Sequence, residues 1–528
     1  MAHDITEEND EFVDWKGRQV QEAKHKGIKS AAIVCAVEVL ENLVFLSNAT
    51  NFVSYFRSSM HYTSAEAANM VTNFMATSFL LTVVGGFISD SFFTRFKTFL
   101  LSGSIELLGL IMLTIQANNA RLRPTTGNPP SQSQAALLYV GLYAMAIGIG
   151  GIKSSLPAHG ADQLAHSNKR LISSFFNWFF FSLCTGGLLS CTIMVWIEEN
   201  KGWQWSFSIS AAVLSLAILL FSAGYPIYRY RLPSGSPITR IFKVFFYAAR
   251  NRKAQQPAAM NQNELYSGSS YAKFRFLNKA LTNDSISLSQ VQETKTFLGL
   301  LPIFASTIMM NCCLAQLQTF SVHQGVVMNR KITRSFELPP PSLSIFPLVF
   351  MLLSIPVYEH LVLKLLVKKK NPSTSPQKTS IFPPLKRIGL GLALASASMA
   401  VAAIVEVKRR NYSVNDHVKL SIFWLGFQFL LLGVSDMCTL GGMLDFFYSE
   451  APESMRSMCT ALAWCSTSMG YFISSILVSI TNSASRHAGN EWLGGSNLDE
   501  NRLDLFYTVL CVLNFLNLLN YMYWAKRY

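Results

Sequence analysis

Read from its first residue, the chain alternates long apolar runs with short polar breaks. Twelve runs, 28–56, 67–90, 98–117, 135–158, 173–197, 203–226, 294–323, 342–367, 385–407, 418–447, 456–481 and 503–525, are long and apolar. A bilayer crossing takes about 20 apolar residues in a helix, so the pattern predicts an all-α membrane protein with twelve transmembrane helices. A polar stretch, 229–293, divides the runs six and six. The expected plan is an N-terminal tail over 1–27, a six-helix bundle over 28–228, a linker over 229–293 and a second six-helix bundle over 294–528.

Composition narrows the class. Half of the 528 residues are apolar and 14% are charged, against about 25% charged in soluble chains. The net charge of +14 does not point to nucleic acid, because Lys and Arg concentrate in the breaks of one parity, the side that carries both termini. The positive-inside rule makes that side cytoplasmic. Lys408, Arg409 and Arg410 run against this trend, falling in a predicted outer loop. The polar first 27 residues show no leader pattern, so no cleaved signal peptide is expected. The nine cysteines lie within apolar runs without metal-ligand spacing and read as packing residues. In the linker, Pro237 to Lys253 interleaves Ile241, Phe242, Val244, Phe245 and Phe246 with Arg240, Lys243, Arg250, Arg252 and Lys253. That spacing predicts an amphipathic helix on an anionic leaflet. Residues 254–270 are rich in Gln, Asn and Ser and read as disordered; 271–281 read as a short basic helix. A plain tether between bundles is the alternative.

The chemistry lies in charges placed inside apolar runs. Glu38 and Glu41 sit mid-run, three residues apart, so on a helix they share one face. A carboxylate at the bilayer centre costs about 2.5–3.5 kcal/mol on insertion scales and marks a functional site by default. Lys153 follows Gly148-Ile149-Gly150-Gly151-Ile152, where small residues let helices approach closely. Glu41 could pair with it, so that protonating the carboxyl frees the amine; alternatively Lys153 snorkels to the interface. Asp436 is the intramembrane acid of the second half, and Glu106 either joins the site or pairs across helices. Asn42, Asn311 and Gln316 could line a cavity, as could Asn48, Asn51 and Gln428, but such amides equally bond helices together. Asp90 and Arg95 stand at the inner turn between spans two and three, where they could latch helices in one state. No phosphate-cradling loop, metal-ligand cluster or nucleophile triad is visible, so neither an enzyme nor a cofactor is expected, with protons as the co-substrate.

Two six-span halves around a linker are the plan of the major facilitator superfamily. The motifs go further: Glu38-Val39-Leu40-Glu41-Asn42, Gly85-Gly86-Phe87-Ile88-Ser89-Asp90, and Gly150-Gly151-Ile152-Lys153 running on to Gly160-Ala161-Asp162-Gln163. To these add Phe175-Phe176-Asn177-Trp178-Phe179, Leu301-Pro302-Ile303 and Leu444-Asp445-Phe446-Phe447 before Pro452. Together they resemble the plant nitrate/peptide transporter family of proton-dependent oligopeptide transporters, over nearly the whole length. The Glu-Val-Leu-Glu-Asn form resembles the subgroup associated with abscisic acid, gibberellin and low-affinity nitrate.

The resemblance implies a proton-coupled carrier of nitrate, short peptides, plant hormones or glucosinolate-like solutes; the expectation is a symporter of small anions, nitrate or carboxylate hormones, in the plasma membrane. Glu38 and Glu41 would take protons, and Lys153, Asp436, Asn42, Asn311 and Gln316 would meet substrate. This chain departs from the family pattern where a base follows the paired acids, which is here Asn42. The nitrate-binding histidine of span seven falls at Leu314, and the span-ten acid is Asp436. An organic monocarboxylate therefore fits better than nitrate. A membrane solute sensor with little transport is the rival expectation.

Overall fold

The computed structural model describes residues 12–20, 27–62, 64–125, 128–164, 169–233, 235–252, 274–283, 285–331, 343, 345–368, 383–415, 417–487, 492–493, 498–499 and 501–528. The stretch 254–270, read as disordered, lies outside them.

The first half consists of α1 (Gly27–Ser58), α2 (Ser64–Ser91), α3 (Arg95–Asn118), α4 (Gln132–Asp162), α5 (Lys169–Leu189) and α6 (Trp203–Ala223). A π-turn, Ser190–Met194, carries α5 on into a short helix, Val195–Asn200. The second half consists of α8 (Leu288–Gln318, followed by Phe320–Val327), α9 (Ile345–Lys368), α10 (Pro384–Asn415), α11 (Leu425–Glu450), α12 (Arg456–His487) and α13 (Leu503–Arg527). Between them lies α7, Pro237–Arg250. Among the described residues, eleven of the spans are long and apolar enough to cross a membrane; α9 contributes a shorter apolar stretch, Ile345–Leu361.

The helix starts have local causes. Thr94 accepts from the Lys97 amide at the start of α3, and Ser131 with Gln134 forms a reciprocal capping box at the start of α4. Such caps satisfy amides that a first turn leaves open. The outward faces are apolar: Leu219, Leu353 and Ile404 are each 67% exposed. A bilayer solvates such a surface, and each helix satisfies its own backbone.

Small residues set the closest approaches. A Cβ at Gly85 of α2 would lie 2.7 Å from the Gly151 Cα of α4. Next along α2, a Cβ at Gly86 would lie 2.9 Å from the Met458 Cα of α12. One double glycine therefore lets α2 touch both its own half and the opposite one.

Among the described residues, the strand Phe12–Val13, α7 and the C-terminal Tyr528 gather on one face. Strand β1, Phe12–Val13, pairs antiparallel with β2, Tyr230–Arg231. Arg231 reaches Glu453 at 3.1 Å, and the Tyr528 hydroxyl donates to nearby Glu450. On this terminal face α7 packs Val244 and Ala248 against Leu277, Ala280, Ile286 and Val291 and leaves Ile238, Phe242 and Phe246 exposed. Helix α7 ends at Arg250, and the segment after 271 is a 3-10 turn, Arg275–Thr282.

Several predicted ends move: the helix of span seven starts at Leu288 rather than 294, inside the expected linker, that of span ten at Leu425 rather than 418, and span eleven runs on to His487. Span nine moves furthest: expected to stop at 407, it runs as α10 to Asn415. The basic run read as an outer loop is helical because its charges are neutralised. Arg409 holds Glu406 at 2.8 Å and Asp499 at 2.7 Å, while Lys408 lies 3.8 Å over the Trp424 ring.

Candidate functional site

Helix α1 presents Glu38 and Glu41 on one face, as their spacing requires, and α4 delivers Lys153 against them. The Lys153 Nζ donates to Glu38 Oε1 at 3.0 Å, to Glu41 Oε2 at 2.5 Å and to Asn42 Oδ1 at 3.1 Å. Asn42 is fixed in turn by donating Nδ2 to the Leu183 carbonyl of α5 at 2.7 Å. All four side chains are buried. Two carboxylate oxygens, Glu38 Oε2 and Glu41 Oε1, have no partner among the described residues.

An aromatic enclosure surrounds the ammonium. Its nitrogen lies 5.4 Å from the Phe45 ring centre and 5.4 Å from that of Trp464. Phe79 stacks on Trp464 at 5.6 Å and meets Phe45 edge-on at 5.6 Å. A cation over aromatic faces gains about 2 kcal/mol when desolvated. Trp464 belongs to α12, so this enclosure spans the seam between halves. The Trp464 indole nitrogen is buried without an acceptor among the described residues. Nearby, Thr82 donates to the Ala461 carbonyl and Ser468 to that of Ala76, tying α2 to α12. Sequence alone gave these three rings no prominence, because aromatics are common on apolar helices.

The other candidates lie apart from this cluster. Asn311 donates to Ser466 at 3.0 Å and accepts from Thr467 at 3.2 Å, and Gln316 donates to Ser474. Both amides therefore hold α8 to α12 within the second half. Asn51 donates to Glu198, Gln428 to Ser321, and Asn48 to its own helix. Asp436 is half-buried, with no hydrogen bond to its carboxylate among the described residues. It lies within electrostatic reach of Cys184 on α5, so it faces the opposite half.

Asp90 and Arg95 occupy the seam on the terminal face. Asp90 accepts from the backbone amides of Ser457 at 3.3 Å and Met458 at 2.9 Å, in the first turn of α12. A helix start leaves such amides open and favours an anion. Asp90 thus caps a helix of the opposite half. Arg95 donates Nε to Ser457 Oγ at 2.6 Å, lies 3.6 Å from Asp90 and also pairs with Asp162. Tyr448 of α11 donates to Asp162 at 2.7 Å.

A second crossing lies beside it. Asn177 of α5 donates to Glu359 of α9 at 2.5 Å and accepts from Arg387 of α10 at 2.5 Å. Ser173 donates to Asp445 at 2.7 Å and Ser174 to Glu359 at 3.1 Å. Glu359 was legible as an acid within an apolar run but was not singled out; its partners lie about 180 residues earlier.

Comparison with known proteins adds identity to this geometry. The family model described as PTR2, POT family, matches residues 96–493. Arabidopsis thaliana protein NRT1/PTR family 4.2 is 55% identical, covering 100% of both chains. Arabidopsis thaliana protein NRT1/PTR family 4.1 is 56% identical, covering 99% of each. Among solved structures, the in meso crystal structure of the POT family transporter PepTSo superposes with a TM-score of 0.67 at 19% identity, over 94% of this chain and 98% of that one.

Proposed function

This chain belongs to the POT family of membrane transporters, and on that premise we propose that it is a proton-coupled symporter of small organic anions. The observation that carries the reading is Lys153, an ammonium at the seam of two halves whose bonds run to two carboxylates and one amide. Protonating Glu41 removes the charge that holds Nζ most closely. The ammonium then turns to a substrate carboxylate, so proton and anion enter together. The family is one of transporters rather than enzymes, and nothing in the cluster needs a bond to be made or broken.

Carriers of this plan work by rocking one half against the other around a midplane site. The Asp90–Arg95–Ser457 contacts and the Asn177–Glu359–Arg387 contacts bind the halves on the terminal face. Their rupture would open that face. The excess of basic residues there supports placing it on the cytoplasmic side.

Three features favour an apolar monocarboxylate, such as abscisate or a gibberellin, over nitrate. The enclosure offers one cation. Its walls are Phe45, Phe79 and Trp464. The span-seven position that the resemblance assigns to a nitrate-binding histidine is Leu314. Uptake of labelled abscisate, gibberellin and nitrate into proteoliposomes with an imposed pH gradient tests the proposal. Gradient-dependent accumulation of a carboxylate is expected; none for any of the three anions would overturn it.

A further inference from the structure

Glu106, mid-α3, has no place in that scheme, yet it is a carboxyl buried in the interior with no hydrogen-bond partner to either oxygen among the described residues. Its backbone is pressed against α4: a Cβ at Gly148 would lie 2.6 Å from the Ser102 carbonyl oxygen and 2.7 Å from the Glu106 amide nitrogen. Its carboxyl is within electrostatic reach of Glu41 and Lys153.

A structural reading fails on these facts. Intramembrane polar groups hold helices together by bonding across them, and Glu106 bonds to nothing described. An apolar side chain would fill the same space without desolvating a carboxyl. The charges that face it are those of the site: Glu41 from α1 and Lys153 from α4, with Glu38 on the same ammonium. Helix α6, which also packs on α3, carries no Asp, Glu, Lys, Arg or His. The remaining titratable groups toward the terminal end are Arg95 on α3, Asp90 on α2, and His159 and Asp162 on α4; of these, Asp90, Arg95 and Asp162 are engaged with one another.

The charge count then decides. Three buried carboxyls, Glu38, Glu41 and Glu106, share one ammonium. A dry site holds charge only when it is paired, so neutrality requires protons on two of the three while Lys153 is charged. We propose that Glu106 is a proton-binding residue of this transporter, a third carboxyl behind the seam that takes up and releases a proton in each cycle alongside the Glu38–Glu41 pair. The step is a proton transfer: on uptake an O–H bond of hydronium breaks and one forms at the carboxyl, and release to water on the other side of the membrane reverses it. This rests on the symport reading, and it adds a second coupled proton to it.

The test is Glu106→Gln, which keeps shape and removes the exchangeable proton, with Glu106→Asp as the variant that retains a carboxyl. Each coupled proton is worth about tenfold in accumulation per unit of pH gradient. At a gradient of one pH unit, Glu106→Gln should therefore accumulate substrate about tenfold less than wild type. Glu106→Asp should recover coupling. Equal accumulation by wild type and Glu106→Gln would overturn the proposal. Infrared difference spectra supply a readout without transport. A pH-sensitive carboxylic-acid stretch in wild type, absent in Glu106→Gln, supports proton binding there; no difference refutes it. Failure of the symport reading looks different, since wild type itself would then show no gradient-driven flux.

Discussion

Changing Glu41 and Lys153 to glutamine, singly and together, separates the two roles assigned to the central cluster. A hydrogen bond to a charged group contributes about 1.5–3 kcal/mol and a neutral one about 0.5–1.5 kcal/mol. Glu41→Gln keeps an oxygen near Lys153 but removes its charge, so the hold on the ammonium weakens by about 1–1.5 kcal/mol. At about 1.4 kcal/mol per decade, an anion competing with Glu41 for Lys153 should bind about five- to twelvefold more tightly. That binding should also lose its response to pH, and gradient-driven accumulation should fail. Lys153→Gln acts the opposite way. It leaves two buried carboxyls without a counter-charge, and breaking such a pair costs about 3–5 kcal/mol of stability. The lost charge-assisted bond to substrate, about 1.5–3 kcal/mol, weakens anion binding about 12- to 140-fold. The double variant should recover stability but not binding, because one fewer buried carboxyl is left without the ammonium. Binding of labelled abscisate to purified protein, read with thermal unfolding, measures all three. Wild-type affinity in Lys153→Gln, or no tightening in Glu41→Gln, would show that the ammonium does not pass from carboxylate to substrate.

Three further outcomes are expected. Asp90→Ala removes the borrowed cap of α12, worth about 1–2 kcal/mol, so the population open at the terminal face should rise about five- to thirtyfold; spin labels at Phe92 and Glu450 would report longer distances, and an unchanged distribution would count against the latch. Gly85→Val forces a Cβ onto the Gly151 backbone and should lower stability by about 1–3 kcal/mol; Gly426→Ala, with nothing within 4 Å of the added carbon, should not lower the unfolding midpoint. At the outer clasp, burial opposes the Asp499 carboxylate, but bonds from Arg409 and Ser413 outweigh it and hold the carboxyl below its ordinary value. The clasp is therefore complete above the unfolded value of about 3.9 and is lost as pH falls through the lower folded value. Amide protection around Asn501 should drop in that acid range, and Asp499→Asn should make it independent of pH.

Much of the architecture was legible because a bilayer enforces length. A run of twenty apolar residues has few alternatives, and a glutamate within one is conspicuous. Glu38, Glu41, Lys153 and Glu106 stood out on that ground alone. Partners did not. Nothing near Asp90 in sequence says that its carboxylate meets amides more than 360 residues later. Nothing near Asn177 announces Glu359 and Arg387. The end of α10 was misplaced because a run of three basic residues reads as solvated until Glu406 and Asp499 are seen against Arg409. Asn311 and Gln316 illustrate the limit of residue type, since an amide suited to a ligand is equally suited to a neighbouring helix.

The carboxylate that tops α12 from across the seam bears on how hard the transporter is to turn. When the halves part there, water reaches both the freed amides and Asp90, and solvates them nearly as well as they served each other. The contact behaves as a detent rather than a lock: firm enough to define a resting position, shallow enough for thermal motion to slip it. A carrier that must reset after each cargo gains more from such a notch than from a deep well.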